Sequence, residues 1–278
     1  MRMSLENLHP FSSQHAIESA AFALEFSSEL DVGQISALRS AAALLSSDFP
    51  VVQDKRVTTV NFQVAPEGAP TSSSQIEGGG FTMGRTAFNP IEPPTRFIDV
   101  SLNGVVVVVK DYTRWEKFKS DVDRYLSVLL APIDAQKAVG SLGLQFNDIF
   151  LWKADPEDLK IEEVFASANP YLVPNSFSSS MQWHSHHGYL LDSAEPIQHR
   201  QLDNINVSRV ASNGSDQIQI LTSHRVTLDK PLFKYWTAHK ATLFEFQEKL
   251  HNQNKLILSK LLTPAAQLKI NLSGFKES

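Results

Sequence analysis

The chain has 278 residues, of which 42% are hydrophobic and 20% are charged, a composition typical of globular proteins that bury a large core. Its 25 basic and 30 acidic residues give a net charge of -5, which argues against general nucleic-acid binding and leaves only a local basic patch open. The chain contains no cysteine, and this excludes disulfides, thiolate nucleophiles and cysteine zinc sites.

The first third of the chain predicts several strands and one helix. Phe22, Leu24 and Phe26 recur with period two, which is typical of a strand. Residues 32–45 repeat their apolar positions at helical spacing and predict a helix. Further strands are predicted at 56–64, 81–88 and 95–102. Residues 66–80 are rich in Pro, Ser, Thr and Gly, and they predict a mobile hairpin connection or a disordered tip.

The middle of the chain, residues 104–152, organises the predicted fold. Residues 105–109 are five consecutive valines, which predict a strand that is buried on both faces. Thr113 and Glu116 have the spacing of a capping box, and an amphipathic helix follows them. Residues 140–152 then predict another strand, so this part of the chain reads as strand, helix, strand.

The last third predicts a short helix at 155–165, three strands and a long closing helix. The three strands are expected at 177–191, 198–212 and 217–228. From Pro231 onward, apolar residues recur at helical spacing over more than 30 positions, with a break expected near Lys240 or Pro264.

Set side by side, the two halves of the chain follow one plan of strand, helix, several strands and amphipathic helix. Residues 22–26 and 142–146 also share an alternating apolar pattern, although chance also explains a match this short. We therefore predict an α+β fold of two related β-α-β(n)-α halves, with antiparallel sheets packed against long amphipathic helices. The halves are expected at 1–135 and 136–278, joined in one compact unit.

Several segments carry a family resemblance. They are the strand at 22–26 with the helix that ends before Pro50, the helix start at 112–118, the strand at 142–149 and the closing stretch at 251–266. In these segments the chain resembles a sporadically distributed family of uncharacterised bacterial and archaeal proteins. The resemblance implies a cytoplasmic prokaryotic protein with patchy occurrence, as accessory and mobile-element genes have, and the family offers no established catalytic residues to carry over. The chain departs from the family in a long insertion at 66–80.

A metal site is one hypothesis for the second half of the chain. In a strand, His184 and His186 would point to the same face, close enough to bind one metal ion through neutral imidazoles. His199 and His224 on neighbouring strands would complete the site if the strand register aligned them. The favoured alternative is a surface strand with polar histidines on its solvent side.

A phosphate loop is a second hypothesis. Gly78, Gly79 and Gly80 could cradle a phosphate with backbone N–H groups, as glycine-rich loops do. The segment lacks the Gly-Lys-Ser/Thr ending of a nucleotide-binding loop, and a flexible hairpin loop is the favoured alternative.

Aromatic residues on the predicted helices form a third candidate site. Trp115, Phe118, Tyr235 and Trp236 are expected in the core, or in a partner-binding stripe if one helix is left uncovered. Antiparallel sheets also leave a face or an edge to which another chain can add a strand.

These observations favour a non-enzymatic protein-binding or accessory factor that uses no cofactor and binds a protein partner or a second copy of itself. A role in a bacterial defence or toxin-neutralising system is expected from the patchy family occurrence alone. Residues 1–11 lack the apolar core of a secretory signal and no apolar run could span a bilayer, so we expect a cytoplasmic protein without a membrane partner. The alternative is a metal-dependent enzyme or a small-molecule-binding protein with a pocket between sheet and helices.

Overall fold

One antiparallel sheet dominates the fold. The computed structural model of the chain describes residues 5–63, 71–89, 92–178, 182–212 and 215–272. In these ranges the strands are β1 (Leu8–Pro10), β2 (Ile17–Phe26), β3 (Val51–Gln63), β4 (Thr71–Gly84), β5 (Arg96–Val100), β6 (Gly104–Val109), β7 (Val139–Trp152), β8 (Trp183–Ser193), β9 (His199–Ser212) and β10 (Ser215–Leu232). Their order across the sheet is β3-β4-β5-β6-β2-β7-β10-β9-β8, and β1 pairs with β7.

The α-helices of the described ranges connect these strands or follow the last of them. They are α1 (Val32–Ala42), α2 (Trp115–Leu130), α3 (Ile161–Val164), α4 (Asn175–Ser178), α5 (Lys240–Leu261) and α6 (Pro264–Lys269). The side chains of α2 that are buried recur every three or four residues, as the amphipathic pattern predicts. One of them is charged, and it is paired: Nη1 of Arg96 on β5 donates to Oδ2 of Asp121 over 2.6 Å.

At its central strands, the sheet is fully buried on the side that carries the helices and partly exposed on the other side. Val107, Phe22 and Leu144 lie side by side on the three central strands, and each is at most 1% exposed. The alternate residues Val106 and Val108 are partly exposed. The valine strand is therefore fully buried on one face only, instead of on both faces as its sequence predicts.

The predicted fold of two β-α-β(n)-α halves, packed against long amphipathic helices, is wrong because the strands form one antiparallel sheet. The two strands of the strand–helix–strand stretch, β6 and β7, are not neighbours, since β2 lies between them and pairs with both. Apolar periodicity shows which segments form strands, but pairing joins segments that are far apart in the sequence. The β2–β7 pair also crosses the expected boundary between 1–135 and 136–278.

Two further predicted elements have different bounds. β10 extends to Leu232 and α5 begins only at Lys240, so the closing helix is shorter than its apolar pattern predicts. The strand predicted at 177–191 begins at Trp183, after α4. Within the described residues, the structure has no helix that is long and apolar enough to cross a membrane.

Candidate functional site

A cavity lies between the buried face of the sheet and the two long helices, and we call it the sheet–helix cavity. Its volume is about 280 Å³. Its walls are formed by the segment that leads into β2, the start of α2, the middle of β7, the second half of α5 and residues 270–272 after α6. Its lining includes His15, Tyr112, Trp115, Asp148, His251 and Asn254.

Asp148 lies in this lining as an acidic residue on an apolar strand face. It alternates along β7 with Phe146 and Phe150, which are both fully buried, and it is itself 2% exposed. Its Oδ2 atom makes no hydrogen bond to any part of the chain that the structure describes. Burial raises the pKa of Asp148 to about 7, because a carboxylate in this position has lost its water.

His15 places a second unpaired polar atom in the lining. Its Nε2 lies 3.1 Å from the backbone oxygen of Tyr112. Because a carbonyl oxygen only accepts, Nε2 carries the hydrogen and Nδ1 has a free lone pair. Nδ1 is buried and has no hydrogen-bond partner among the described residues. Burial lowers the pKa of His15, so the ring is neutral at pH 7.

A stacked pair of rings forms another wall of the cavity. The rings of Trp115 on α2 and His251 on α5 have centroids 4.0 Å apart and planes inclined by 17°. Nε1 of Trp115 donates to both carboxylate oxygens of Glu248, over 3.0 and 3.1 Å. Burial, aided by the charge of Lys255, lowers the pKa of His251 to about 3, so this ring is also neutral.

A network of buried polar side chains lies beside the cavity, under β8, β9 and β10. Nδ1 of His224 and Oδ1 of Asp203 are 2.7 Å apart, and both side chains are completely buried. Gln253 of α5 donates to Oδ2 of Asp203 over 2.9 Å and to the hydroxyl of Tyr189 over 3.0 Å. Burial works to raise the pKa of Asp203, but the hydrogen bond from His224 and the neighbouring amides outweigh it and lower that pKa.

Asn254 joins the network to the cavity. Its Oδ1 lies 3.4 Å from Nε2 of His224 and accepts a hydrogen bond of 2.6 Å from Thr222 of β10, and the residue also lines the cavity. Consecutive residues of α5, Gln253 and Asn254, thus contact the network and the cavity respectively.

The four aromatic residues of the predicted partner-binding stripe are buried. Trp115, Phe118, Tyr235 and Trp236 are exposed by 7%, 3%, 0% and 8% respectively. Trp115 lines the sheet–helix cavity, whereas Tyr235 and Trp236 precede α5 and pack in the core. None of the four presents an exposed surface to a partner.

The three glycines of the predicted phosphate loop belong to β4. Gly78 pairs with Arg56 of β3, and the strand continues to Gly84. Gly80 has a φ of +106°, and a Cβ atom there would lie 2.1 Å from the backbone oxygen of Val100. Close approach of β4 to the end of β5 therefore explains why glycine occupies this position.

The two histidines of the predicted metal site lie on β8. His184 and His186 are both exposed on the same side of the strand, while Ser185 between them is buried. His199 and His224 are buried on the opposite side of the sheet, so the register does not bring the four together. The described ranges contain no group of three His, Cys, Asp or Glu residues placed to hold a metal ion.

The sequence reasoning missed the polar residues of the cavity, His15, Asp148 and His251. One signal for Asp148 was available: it falls on the inward-facing register of a strand whose neighbouring inward positions are Phe146 and Phe150. His15 and His251 carry no such signal, since they reach the cavity only through the packing of a loop and of α5 on the sheet. The comparisons with known proteins add no relative, since no protein-family model matches the chain and no curated protein matches it.

Proposed function

We propose that this chain is a binding protein for a small molecule, which it holds in the sheet–helix cavity. One observation carries the proposal: Oδ2 of Asp148 is buried at the cavity and has no hydrogen-bond partner among the described residues. A buried polar group without a partner costs about 1–3 kcal/mol, so a ligand that supplies the missing hydrogen bond regains that free energy.

The size and lining of the cavity support a ligand of modest size. A volume of about 280 Å³ is near the lower end of the range for ligand pockets. The lining combines apolar side chains, among them Phe146 and Leu258, with a few polar atoms, which is the usual composition of a small-molecule site.

Fragment screening by protein-observed NMR tests the proposal, with the indole N–H signal of Trp115 as the reporter for the cavity. Ala16→Leu fills space in the lining, where Ala16 is 0% exposed, and should abolish fragment binding. Ala23→Leu makes the same change on the partly exposed face of β2 and should leave binding intact. Fragments that bind both variants equally, or that leave the Trp115 signal unmoved in the unchanged chain, would contradict the proposal.

A second candidate function is binding of a protein partner at β8, as an accessory factor of a bacterial defence or toxin-neutralising system. β8 lies at one edge of the sheet, and its residues Leu190 and Leu191 are 60% and 45% exposed. Edge strands with exposed apolar side chains favour pairing with an added strand. The association with defence rests on the family resemblance alone.

The double variant Leu190→Lys/Leu191→Lys tests this second function. It should abolish co-purification of a protein encoded by a neighbouring gene, because lysines on an edge oppose strand addition. Sedimentation of the purified chain shows whether β8 instead binds a second copy of the chain. In that case the unchanged chain would be a dimer and the double variant a monomer. If the double variant recovers the partner protein as well as the unchanged chain does, β8 is not the binding site.

A further inference from the structure

The polar atoms of the sheet–helix cavity also indicate what kind of ligand it takes. Resting on the proposed function, we propose that the cavity selects a small organic cation with N–H donors, an ammonium or amidinium, whose head binds the carboxylate of Asp148 and Nδ1 of His15.

The first step of the argument is the type of polar atom that lacks a partner. Nδ1 of His15 can only accept a hydrogen bond, because Nε2 carries the ring hydrogen. Oδ2 of Asp148 accepts whenever the carboxyl is ionised. Both atoms are buried and have no partner within the described ranges. Two acceptors in one cavity call for a ligand head with at least two donors.

The second step is charge. No ion pair between described residues includes Asp148, and burial raises the pKa of its carboxyl group. Arg114, Lys255 and Glu116 also line the cavity, but the first and last are exposed and Lys255 is partly exposed. A cationic ligand would supply the missing positive charge directly at Asp148, in a charge-assisted hydrogen bond.

The third step is the shape of the remaining lining. Ile17, Phe146 and Leu258 give the cavity apolar walls, against which the body of a small aromatic or aliphatic amine can pack. Trp115 adds an aromatic ring to this lining.

Binding of such a cation has a proton balance. Asp148 binds the cation as a carboxylate. A protein molecule in which Asp148 is still protonated must therefore release that proton to solvent when the cation binds. The other titratable groups that line the cavity are His15, Tyr112, Glu116, His251, Lys255 and Arg114. His15 and His251 are neutral near pH 7, and Tyr112 stays protonated because burial and the charge of Asp148 raise its pKa. Affinity for the cation should therefore rise between about pH 6 and pH 8.

Three probes of nearly equal shape test the inference by calorimetry on the full chain: benzamidine as the cation, benzamide as the neutral analogue and benzoate as the anion. We expect benzamidine to bind about tenfold more tightly than benzamide, and benzoate most weakly. Asp148→Asn should remove the preference for benzamidine and its pH dependence. Asp192→Asn, at an exposed position of β8, is the matched control and should retain both.

The outcomes separate this inference from the proposed function. Equal or tighter binding of benzoate, or benzamidine binding that Asp148→Asn leaves unchanged, overturns the cation preference. The cation preference is also overturned if other fragments bind the cavity and benzamidine does not bind. In that case the proposed small-molecule function still stands. If no small molecule moves the Trp115 indole signal, both proposals fail. Amide spectra of Asp148→Asn that match those of the unchanged chain verify that the variant is folded.

Discussion

The imidazole of His251 lies almost parallel to the indole of Trp115, with ring centroids 4.0 Å apart. This contact joins the first turn of α2 to the middle of α5, and it forms a wall of the sheet–helix cavity. Because the stack buries an imidazole, the stability of the fold is linked to the protonation of that ring.

His251→Phe should make the protein more tolerant of acid. Burial, aided by Lys255, lowers the pKa of His251 to about 3 in the folded chain, from 6.5 in the unfolded chain. The unfolded state therefore binds the proton first, and stability is lost as the pH falls below about 6.5. As the pH falls from 8 to 5, the unfolding free energy of His251→Phe should therefore rise by about 2 kcal/mol relative to that of the unchanged chain.

Urea denaturation at the two pH values measures this gain. His186→Phe is the control, since this ring is exposed on β8 and remains in water in both states. An equally large gain for the control would show that the effect comes from the loss of any histidine charge and not from the burial of His251 against Trp115.

Asp148→Asn should have the opposite pH dependence. The folded-state pKa of Asp148, about 7, lies above its ordinary value of 3.8, so the folded state holds the proton more tightly than the unfolded state. Stability from this group is complete below about pH 4 and is lost as the pH rises through 7. The variant should therefore become more stable than the unchanged chain as the pH rises from 4 to 8, by at most about 4 kcal/mol. A difference in unfolding free energy that does not vary with pH would show that Asp148 keeps its water.

Asp203→Ala should destabilise the fold strongly. The change leaves His224, Gln201 and Gln253 without the carboxylate that they contact in a buried network. Removal of one partner from a buried pair typically costs about 3–5 kcal/mol. Chemical denaturation measures the loss. Asp192→Ala, in an exposed pair with Arg200, should leave the unfolding free energy unchanged within error.

Gly80→Ala tests whether this glycine is structural. A Cβ atom there would overlap the backbone oxygen of Val100, and the φ of +106° strains any other residue. We expect a loss of about 2 kcal/mol or more in thermal or urea unfolding. Gly143→Ala is the control, because its nearest neighbour, the backbone oxygen of His224, is 3.4 Å away. A neutral Gly80→Ala would reopen a ligand role for the glycines.

The periodicity of the sequence predicts local structure well and the pairing of strands poorly. Phe22, Leu24 and Phe26 are buried together on β2, as their alternation predicts. No local pattern reveals that Phe22 faces Leu144, because that contact depends on how the whole sheet assembles.

The candidate site is less predictable than the strands for the same reason. His15 and His251 lie in different parts of the sequence, and neither shows a motif with its neighbours. They meet at one cavity only because β2 adjoins β7 and α5 packs over β7. The histidines that do form a local motif, His184 and His186, lie on the exposed side of β8.

The pairing of β2 with β7 makes the two halves of the chain depend on each other for folding. A chain severed after residue 135 would keep β2 but lose the ladder of β7, leaving a row of backbone amides and carbonyls without partners. Each fragment would then expose an unpaired edge strand instead of folding as a small domain. Expression of this protein in pieces is expected to give aggregates, and recovery of a native fold requires both pieces at once.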